Sequence, residues 1–327
     1  MTAAADIAMV ASSVIAGATP IVLASVGETL TERSGLINLS LDGTIILSAM
    51  SAFVVAMTTS SIAAGFVTGA MVGALVASVV GVFCVRLGLS QVAVGFVLTL
   101  MTRDLAYFLG SPYARKEGPV AGSVPVPVLS DIPLVGTVLF HHSIPVYLSM
   151  LAIVCVWWVI YKTSFGLRIR CVGENPEAAY ARGIHPDRMQ LICALAGGAM
   201  VGMAGAAFSL AVKPGWGQPQ GCEGTGWIAL ALVIFGGWHP VKTAIGAYLF
   251  SLLQVMSIHL QTWFPGVPAQ VFQVAPFPVM IFILVLVYAA QSDAVRYFAD
   301  RHALLGGVIR ALGQSAPASL GRRMYRA

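Results

Sequence analysis

Apolar residues run through this chain in long blocks closed by short polar or glycine-rich breaks, and only one stretch, 162 to 190, interrupts them with a dense set of charges. A block of about 20 apolar residues is what a helix needs to cross the hydrocarbon core of a bilayer. The pattern predicts nine such segments, at about 6 to 27, 35 to 59, 61 to 85, 89 to 109, 144 to 162, 191 to 211, 221 to 238, 241 to 260 and 270 to 290. The seventh is short and begins with glycines, so a broken or re-entrant helix is open there. The expected fold is all-α: a polytopic transmembrane helix bundle of about nine spans, some of them broken, forming a single domain over 1–327.

Composition agrees. Hydrophobic residues make up 58% and charged residues 9%, whereas a soluble domain carries about a quarter charged residues. No stretch is long and polar enough for a separate soluble domain, and nucleic acid is not an expected partner. The first ten residues, MTAAADIAMV, lack the positive start of a cleavable signal, so the first block is read as a span. Of the five cysteines, Cys84, Cys155 and Cys193 lie in apolar runs, Cys171 in the basic stretch and Cys222 apart from them, with no CxxC or Cys/His cluster. Neither a disulfide frame nor a metal site is expected.

Charge sorts the loops. With the N-terminus outside and nine crossings, the inner side receives Arg33, Arg86, Lys162, Arg168, Arg170, Arg182, Arg188, Lys242 and the tail residues Arg296, Arg301, Arg310, Arg322, Arg323 and Arg326, while the outer side keeps Arg115, Lys116 and Lys213. That imbalance follows the positive-inside rule. It places the C-terminus and the 162–190 stretch in the cytoplasm. The proline-rich loop from about 110 to 143 then lies outside, as a connector or as a landing place for an external partner. The basic tail, 291–327, mixes arginines with Phe298, Leu304 and Ile309 and suits either a helix on the inner leaflet or a frayed end.

Within the 162–190 stretch, residues 175 to 182 predict a short helix: Asn175 can cap it, Pro176 suits its first turn, and Gly183 stops it. A short helix held outside the membrane between two spans can carry force. The third span repeats small residues every four positions, Gly65, Gly69, Gly73, Ala77 and Gly81, and the sixth carries Gly198, Gly202 and Ala206; both read as faces where another helix comes close.

Residues 27 to 43, GETLTERSGLINLSLDG, place Glu28, Asn38, Ser40 and Asp42 in or near the hydrocarbon, with the breakers Gly35 and Gly43. Buried acids beside an interrupted helix point to a solute pathway. An ordinary inner loop, with Glu28, Glu32 and Arg33 pairing at the interface, is the alternative. In the fourth span Arg103 and Asp104 read as structural charges needing partners. The stretch 213 to 227, KPGWGQPQGCEGTGW, offers Trp216, Glu223 and Trp227 as an outer gate or as interfacial anchors.

Catalytic patterns are missing. The sequence has no HExxH, GxSxG or P-loop, and its one GxGxxA match, Gly224 to Ala229, does not follow a strand. The chain is not expected to be an enzyme.

Three stretches together resemble the permease subunits of bacterial ABC importers for simple sugars and nucleosides, within the superfamily that includes branched-chain amino-acid permeases: GETLTERSGLINLSLDG, RIRCVGENPEAAYARGI and GTGWIALALVIFGGWHPVKTAIGAYLF. The likeness covers nearly the entire chain. It implies residence in the bacterial cytoplasmic membrane, a second permease subunit, an ABC ATPase, often a tandem one, and an extracytoplasmic solute-binding protein. No cofactor is implied on this chain; ATP and magnesium belong to the ATPase. Nucleoside-type members fit best, because sugar permeases usually show Asp-Leu-Ser-Val-Gly where this chain has Asn38-Leu39-Ser40-Leu41-Asp42-Gly43. Leu41-Asp42 stand where valine and glutamate are common, and Cys171 stands where alanine is usual.

By that resemblance Gly173, Glu174, Asn175, Pro176, Ala178 and Ala179 form a coupling helix seated on the ATPase. Arg168, Arg170 and Arg182 lend charge to it, and Gly183 ends it. Solute would pass Glu28, Asn38, Ser40, Asp42 and Gly43. A branched-chain amino-acid permease and an ion-coupled secondary transporter are the rival readings.

Overall fold

The computed structural model describes residues 3–127, 130, 132, 135–264, 266–268 and 316–322, with scattered positions between 271 and 285. Its helices are α1 (Ala3–Arg33), α2 (Leu41–Thr59), α3 (Ile62–Gly81), α4 (Gln91–Gly110), α5 (Val135–Leu139), α6 (Ile144–Lys162), α7 (Ser164–Glu174), α8 (Pro176–Ala181), α9 (Pro186–Ala207), α10 (Thr225–Phe235) and α11 (Pro240–Trp263). Both α3 and α9 run on into a π-turn, Val82–Arg86 and Phe208–Val212.

Seven of these, α1, α2, α3, α4, α6, α9 and α11, are long and apolar enough to cross a membrane. The chain is a multi-pass membrane protein. Two of the nine expected segments are not among them. The segment at 221 to 238 contains the 11-residue α10, which at 1.5 Å per residue reaches roughly half the hydrocarbon thickness. The segment at 270 to 290 lies for the most part outside the described residues, as does most of the basic tail.

The 31-residue α1 and the 22-residue α9 run side by side through the centre with α2. Leu23, Ile45, Ile46, Phe53, Val201 and Leu210 interlock between them, each at most 1% exposed. The glycine stripes of α3 and α9, each read from sequence as a contact face, are each other's partner. A Cβ on Gly202 would lie 2.8 Å from the Gly69 carbonyl carbon, and one on Gly73 only 2.6 Å from the Gly202 nitrogen. No side chain fits between the two backbones, so the helices gain contact along their length without one. Around this centre, α4 and α6 leave large apolar side chains such as Phe96, Leu105, Leu151 and Trp158 exposed.

The 110–143 loop folds back onto the end of the bundle. Two three-residue strands, β1 (Ser123–Pro125) and β2 (His141–Ser143), pair antiparallel. The Arg115 and Ala121 amides donate to the carbonyls of Trp216 and Leu210 at 3.0 and 2.8 Å.

Candidate functional site

The charged stretch between α6 and α9 is two helices rather than one. The first, α7, was not foreseen; its signal was present in Thr163, whose hydroxyl accepts from the Gly166 amide at 3.0 Å, and in the apolar spacing Phe165, Ile169, Val172. Ile169 and Val172 are fully buried, and Arg168 and Leu167 face out. The second, α8, starts where expected. The Asn175 Oδ1 accepts from the Ala178 amide at 2.9 Å, Pro176 occupies the first turn, and Gly183 follows with φ +80°. Gly173 and Ala179 are buried against the bundle, while Glu174, Asn175, Ala178, Tyr180, Arg182 and Gly183 are exposed.

Two contacts tie this exposed unit to the core. A Cβ at Gly173 would overlap the Arg33 carbonyl oxygen and lie 3.1 Å from its carbon, so α7 rests directly on the end of α1. Arg170 lies over the Tyr161 ring at 5.5 Å, and the Tyr161 hydroxyl accepts from Arg33 Nη2 at 3.2 Å. Arg33 Nε donates to the Trp238 carbonyl at 2.7 Å, and the Trp238 indole donates back to the Glu32 carboxylate. Arg33 thus caps the turn after α10 and takes no part in the surface pairing considered from sequence. His239 stacks on Tyr161 at 4.9 Å. Burial, then Lys242 and Arg33, hold its pKa below the ordinary histidine value, which favours neutral imidazole at neutral pH.

One turn before Glu32, Glu28 is fully buried. Its Oε1 accepts from the Asn38 amide at 2.9 Å, while Oε2 has no hydrogen-bond partner among the described residues. The chain after α1 therefore folds back into the bundle as an extended segment. Ile37 N donates to Gln91 Oε1 at 2.9 Å, Gln190 Nε2 to the Ser34 carbonyl at 3.0 Å, and Thr99 Oγ1 to the Leu39 carbonyl at 2.7 Å. Asn38 Oδ1 accepts from the Ser40 hydroxyl at 2.6 Å, and Gly43 packs on α4 at Thr99. Ser40, Asn38 and Asp42 are all buried. Side chains thus pair the Ile37, Asn38 and Ser40 amides and the Ser34 and Leu39 carbonyls, where the helix is interrupted.

Asp42 opens α2 and also meets the start of α10: its Oδ1 accepts from the Gly226 amide at 3.1 Å. A Cβ at Gly226 would lie 2.7 Å from the Leu41 carbonyl carbon. Two helix N-termini thus converge on one carboxylate, the arrangement that places positive dipole ends around an anion at membrane depth.

Beyond Asp42 the 213–224 segment runs to the opposite end of the bundle. Of the three residues read as an outer gate, Trp216 and Glu223 come together through Tyr107. Trp216 is buried with its ring 5.7 Å from Tyr107, whose hydroxyl donates to Glu223. Glu223 also accepts from the amides of Gln220 and Gly221 at 2.7 and 2.6 Å. Burial alone would raise this carboxyl, but these bonds outweigh it and hold the pKa below the ordinary value. Trp227 stands apart, 39% exposed beside Phe96. Sequence reasoning missed Tyr107 and Gln220; the latter is buried and knits the loop through Gly215 and Gly217 at 2.9 and 2.8 Å. Among the described residues no cluster of His, Cys, Asp and Glu could hold a metal.

An α-helical membrane bundle with a broken crossing, converging helix starts over a buried acid and an exposed helix pair resting on its core has the architecture of a solute permease. The chain belongs to the family described as the branched-chain amino acid transport system / permease component, whose model matches residues 10–286. It is 35% identical over 255 residues to a putative glucose ABC transporter permease protein of Haloferax volcanii, covering 77% of each chain. It is 30% identical over 312 residues to the nucleoside ABC transporter permease protein of Lactococcus lactis, covering 90% of this chain and 98% of that one. To the guanosine ABC transporter permease protein of Bacillus subtilis it is 29% identical over 295 residues, 85% and 91% of the two chains. No solved structure matches it. A permease component is a transport subunit and not itself an enzyme.

Proposed function

We propose that this chain is the membrane subunit of an ATP-driven ABC importer that moves a nucleoside or a simple sugar across the bacterial cytoplasmic membrane. The relatives named for nucleoside, guanosine and glucose transport support that substrate class. ATP and magnesium act on a partner ATPase that seats α7 and α8, with Glu174, Asn175, Ala178, Arg168 and Arg182 on its surface. The basic loops at that end of the bundle support a cytoplasmic position for it, with the N-terminus outside. An extracytoplasmic binding protein delivers solute to the end holding Trp216 and Glu223.

A second permease subunit covers the outer face of α4. Arg103 and Asp104 are exposed there, in the interior of a spanning helix, and charges at such a position need protein or water beside them rather than lipid.

The observation that carries the reading is the continuous contact from the exposed helix pair to the buried acids: Arg170 to Tyr161, Tyr161 to Arg33, Arg33 to Trp238, and Trp238 to Glu32, one turn from Glu28. A push on α7 and α8 bears on Arg33 and on the turn beyond α10, and so on the two helix starts meeting at Asp42. Packed interfaces switch between arrangements rather than deform smoothly, so the push exchanges which side of the pathway is open. Paired substitutions Glu174→Lys and Ala178→Trp, both on the exposed surface, are expected to lower ATP-dependent uptake of guanosine or glucose about tenfold or more, the scale of a lost interface anchor. Unchanged uptake by an intact complex carrying both changes overturns the assignment of this surface.

A further inference from the structure

The C-terminal segment 316–322 returns to the bundle and docks between the end of α7 and the turn at Gly35. Pro317 and Ser319 are buried there. Ser319 donates twice to the Gly173 carbonyl, from its amide at 2.9 Å and from its hydroxyl at 2.6 Å, and the hydroxyl lies 3.2 Å from the Val172 carbonyl. These are last-turn carbonyls of α7, which no amide of that helix can reach. On the same short segment, the Gly321 amide donates to the Gly35 carbonyl at 3.2 Å and the Ala318 amide to Glu174 Oε2 at 3.4 Å. Gly35 has φ +93°, and a Cβ on it would meet the Ser319 hydroxyl at 2.6 Å. The segment holds its own shape through a turn, with Leu320 N on the Pro317 carbonyl and Arg322 N on the Ser319 carbonyl, both at 3.0 Å.

One element therefore grips both the last turn of α7 and the loop that runs, three residues on from Gly35, to Asn38 and its bond with Glu28. We infer that residues 316–322 are a clasp that transmits displacement of the α7–α8 unit to the re-entrant loop, with Ser319 as its positioning residue. The inference rests on reading α7 and α8 as the ATPase contact. Two routes then lead from that contact to the buried acids: the Tyr161–Arg33 route bears on the end of α1 and the α10 turn, and the clasp bears on the extended segment after α1. A push delivered to the helix pair moves both walls of the polar cluster together only if the clasp holds.

The test uses the complete transporter with its ATPase, reconstituted in vesicles, and compares the intact chain with Ser319→Ala and with a chain ending after residue 315. Three quantities are read: ATPase retained on purification, ATP hydrolysed, and guanosine and glucose taken up per ATP. The clasp predicts that both variants keep the ATPase bound and hydrolysing while uptake per ATP falls at least fivefold, with the truncation the more severe. Ser319→Ala removes only the hydroxyl, so it keeps the test valid if the truncated chain fails to assemble. Uptake per ATP equal to the intact chain overturns the inference, and higher uptake overturns it in favour of a brake. Loss of bound ATPase in both variants also overturns it, because the segment would then be part of the docking surface. The Glu174→Lys and Ala178→Trp pair is run alongside. If that pair transports normally, the ATPase contact itself is misplaced; if it fails while the Ser319 variant transports normally, only the clasp falls.

Discussion

Replacing Gly173 by alanine adds one methyl group at the place where the exposed helix pair meets the core. The new Cβ would lie 3.1 Å from the Arg33 carbonyl carbon, overlap its oxygen, and touch Pro317 at 3.4 Å. The obstacle is backbone, so no rotamer change can relieve it; α7 must withdraw from α1 by about 1 Å, at an overpacking cost of about 1–3 kcal/mol. That displacement strains the Gly173 carbonyl bonds to Ser319 and the Arg170–Tyr161 contact together. A coupling free energy of about 1–3 kcal/mol corresponds to a factor of about 5–150. Uptake per ATP hydrolysed, measured in vesicles, should fall within that range, and thermal unfolding of the purified complex should occur several degrees lower. Gly88→Ala is the control. Gly88 has φ +66° but open space around its Cβ position, so it costs about 1–2 kcal/mol of local strain and leaves uptake per ATP unchanged. Normal coupling in the Gly173 variant, with an unaltered melting temperature, would refute the idea that α7 transmits force by direct seating on α1.

Two further outcomes follow from the packing and the electrostatics. Gly202→Val should prevent α3 and α9 from closing, since even a Cβ would lie 2.8 Å from the Gly69 carbonyl carbon; the yield of monodisperse protein from membranes should collapse, and a normal yield would show that the stripe is not a tight contact. Glu223, with its pKa held below the ordinary carboxylate value, contributes stability that is present above about pH 4.3 and lost as pH falls through its folded pKa. The melting temperature difference between the intact chain and Glu223→Gln should therefore narrow on acidification, and a pH-independent difference would contradict the bonding described for Tyr107, Gln220 and Gly221.

Much of the bundle was legible because bilayer thickness imposes a length that apolar blocks must match, and seven predicted segments coincide with spanning helices. Asn175, Pro176 and Gly183 announced α8 because caps are local chemistry. What could not be read locally depends on long-range pairing. The stripes on α3 and α9 each promised a neighbour but not one another. Asp42 gave no sign that it would meet Gly226, nor Arg33 that it would bind the turn at Trp238. The 221–238 block reads as short and open to a broken helix, and the α10 within it is half-length because the residues flanking it fold as turns. The tail stretch Ala-Pro-Ala-Ser-Leu-Gly-Arg offers no periodic pattern to mark 316–322, whose place is fixed by carbonyls on another element.

The brevity of α10 also bears on biogenesis. Eleven apolar residues offer an insertion machinery too little to recognise as a free-standing segment, and the extended chain before it would carry bare amides into lipid. That stretch can settle only after α2 and α4 are already assembled to receive it, with Asp42 waiting for Gly226 and Tyr107 for Glu223. The permease is thus obliged to mature in sequence, its early helices acting as the mould for the late one, and a nascent chain held on a ribosome stalled beyond Gly236 should already have its fourth helix in place.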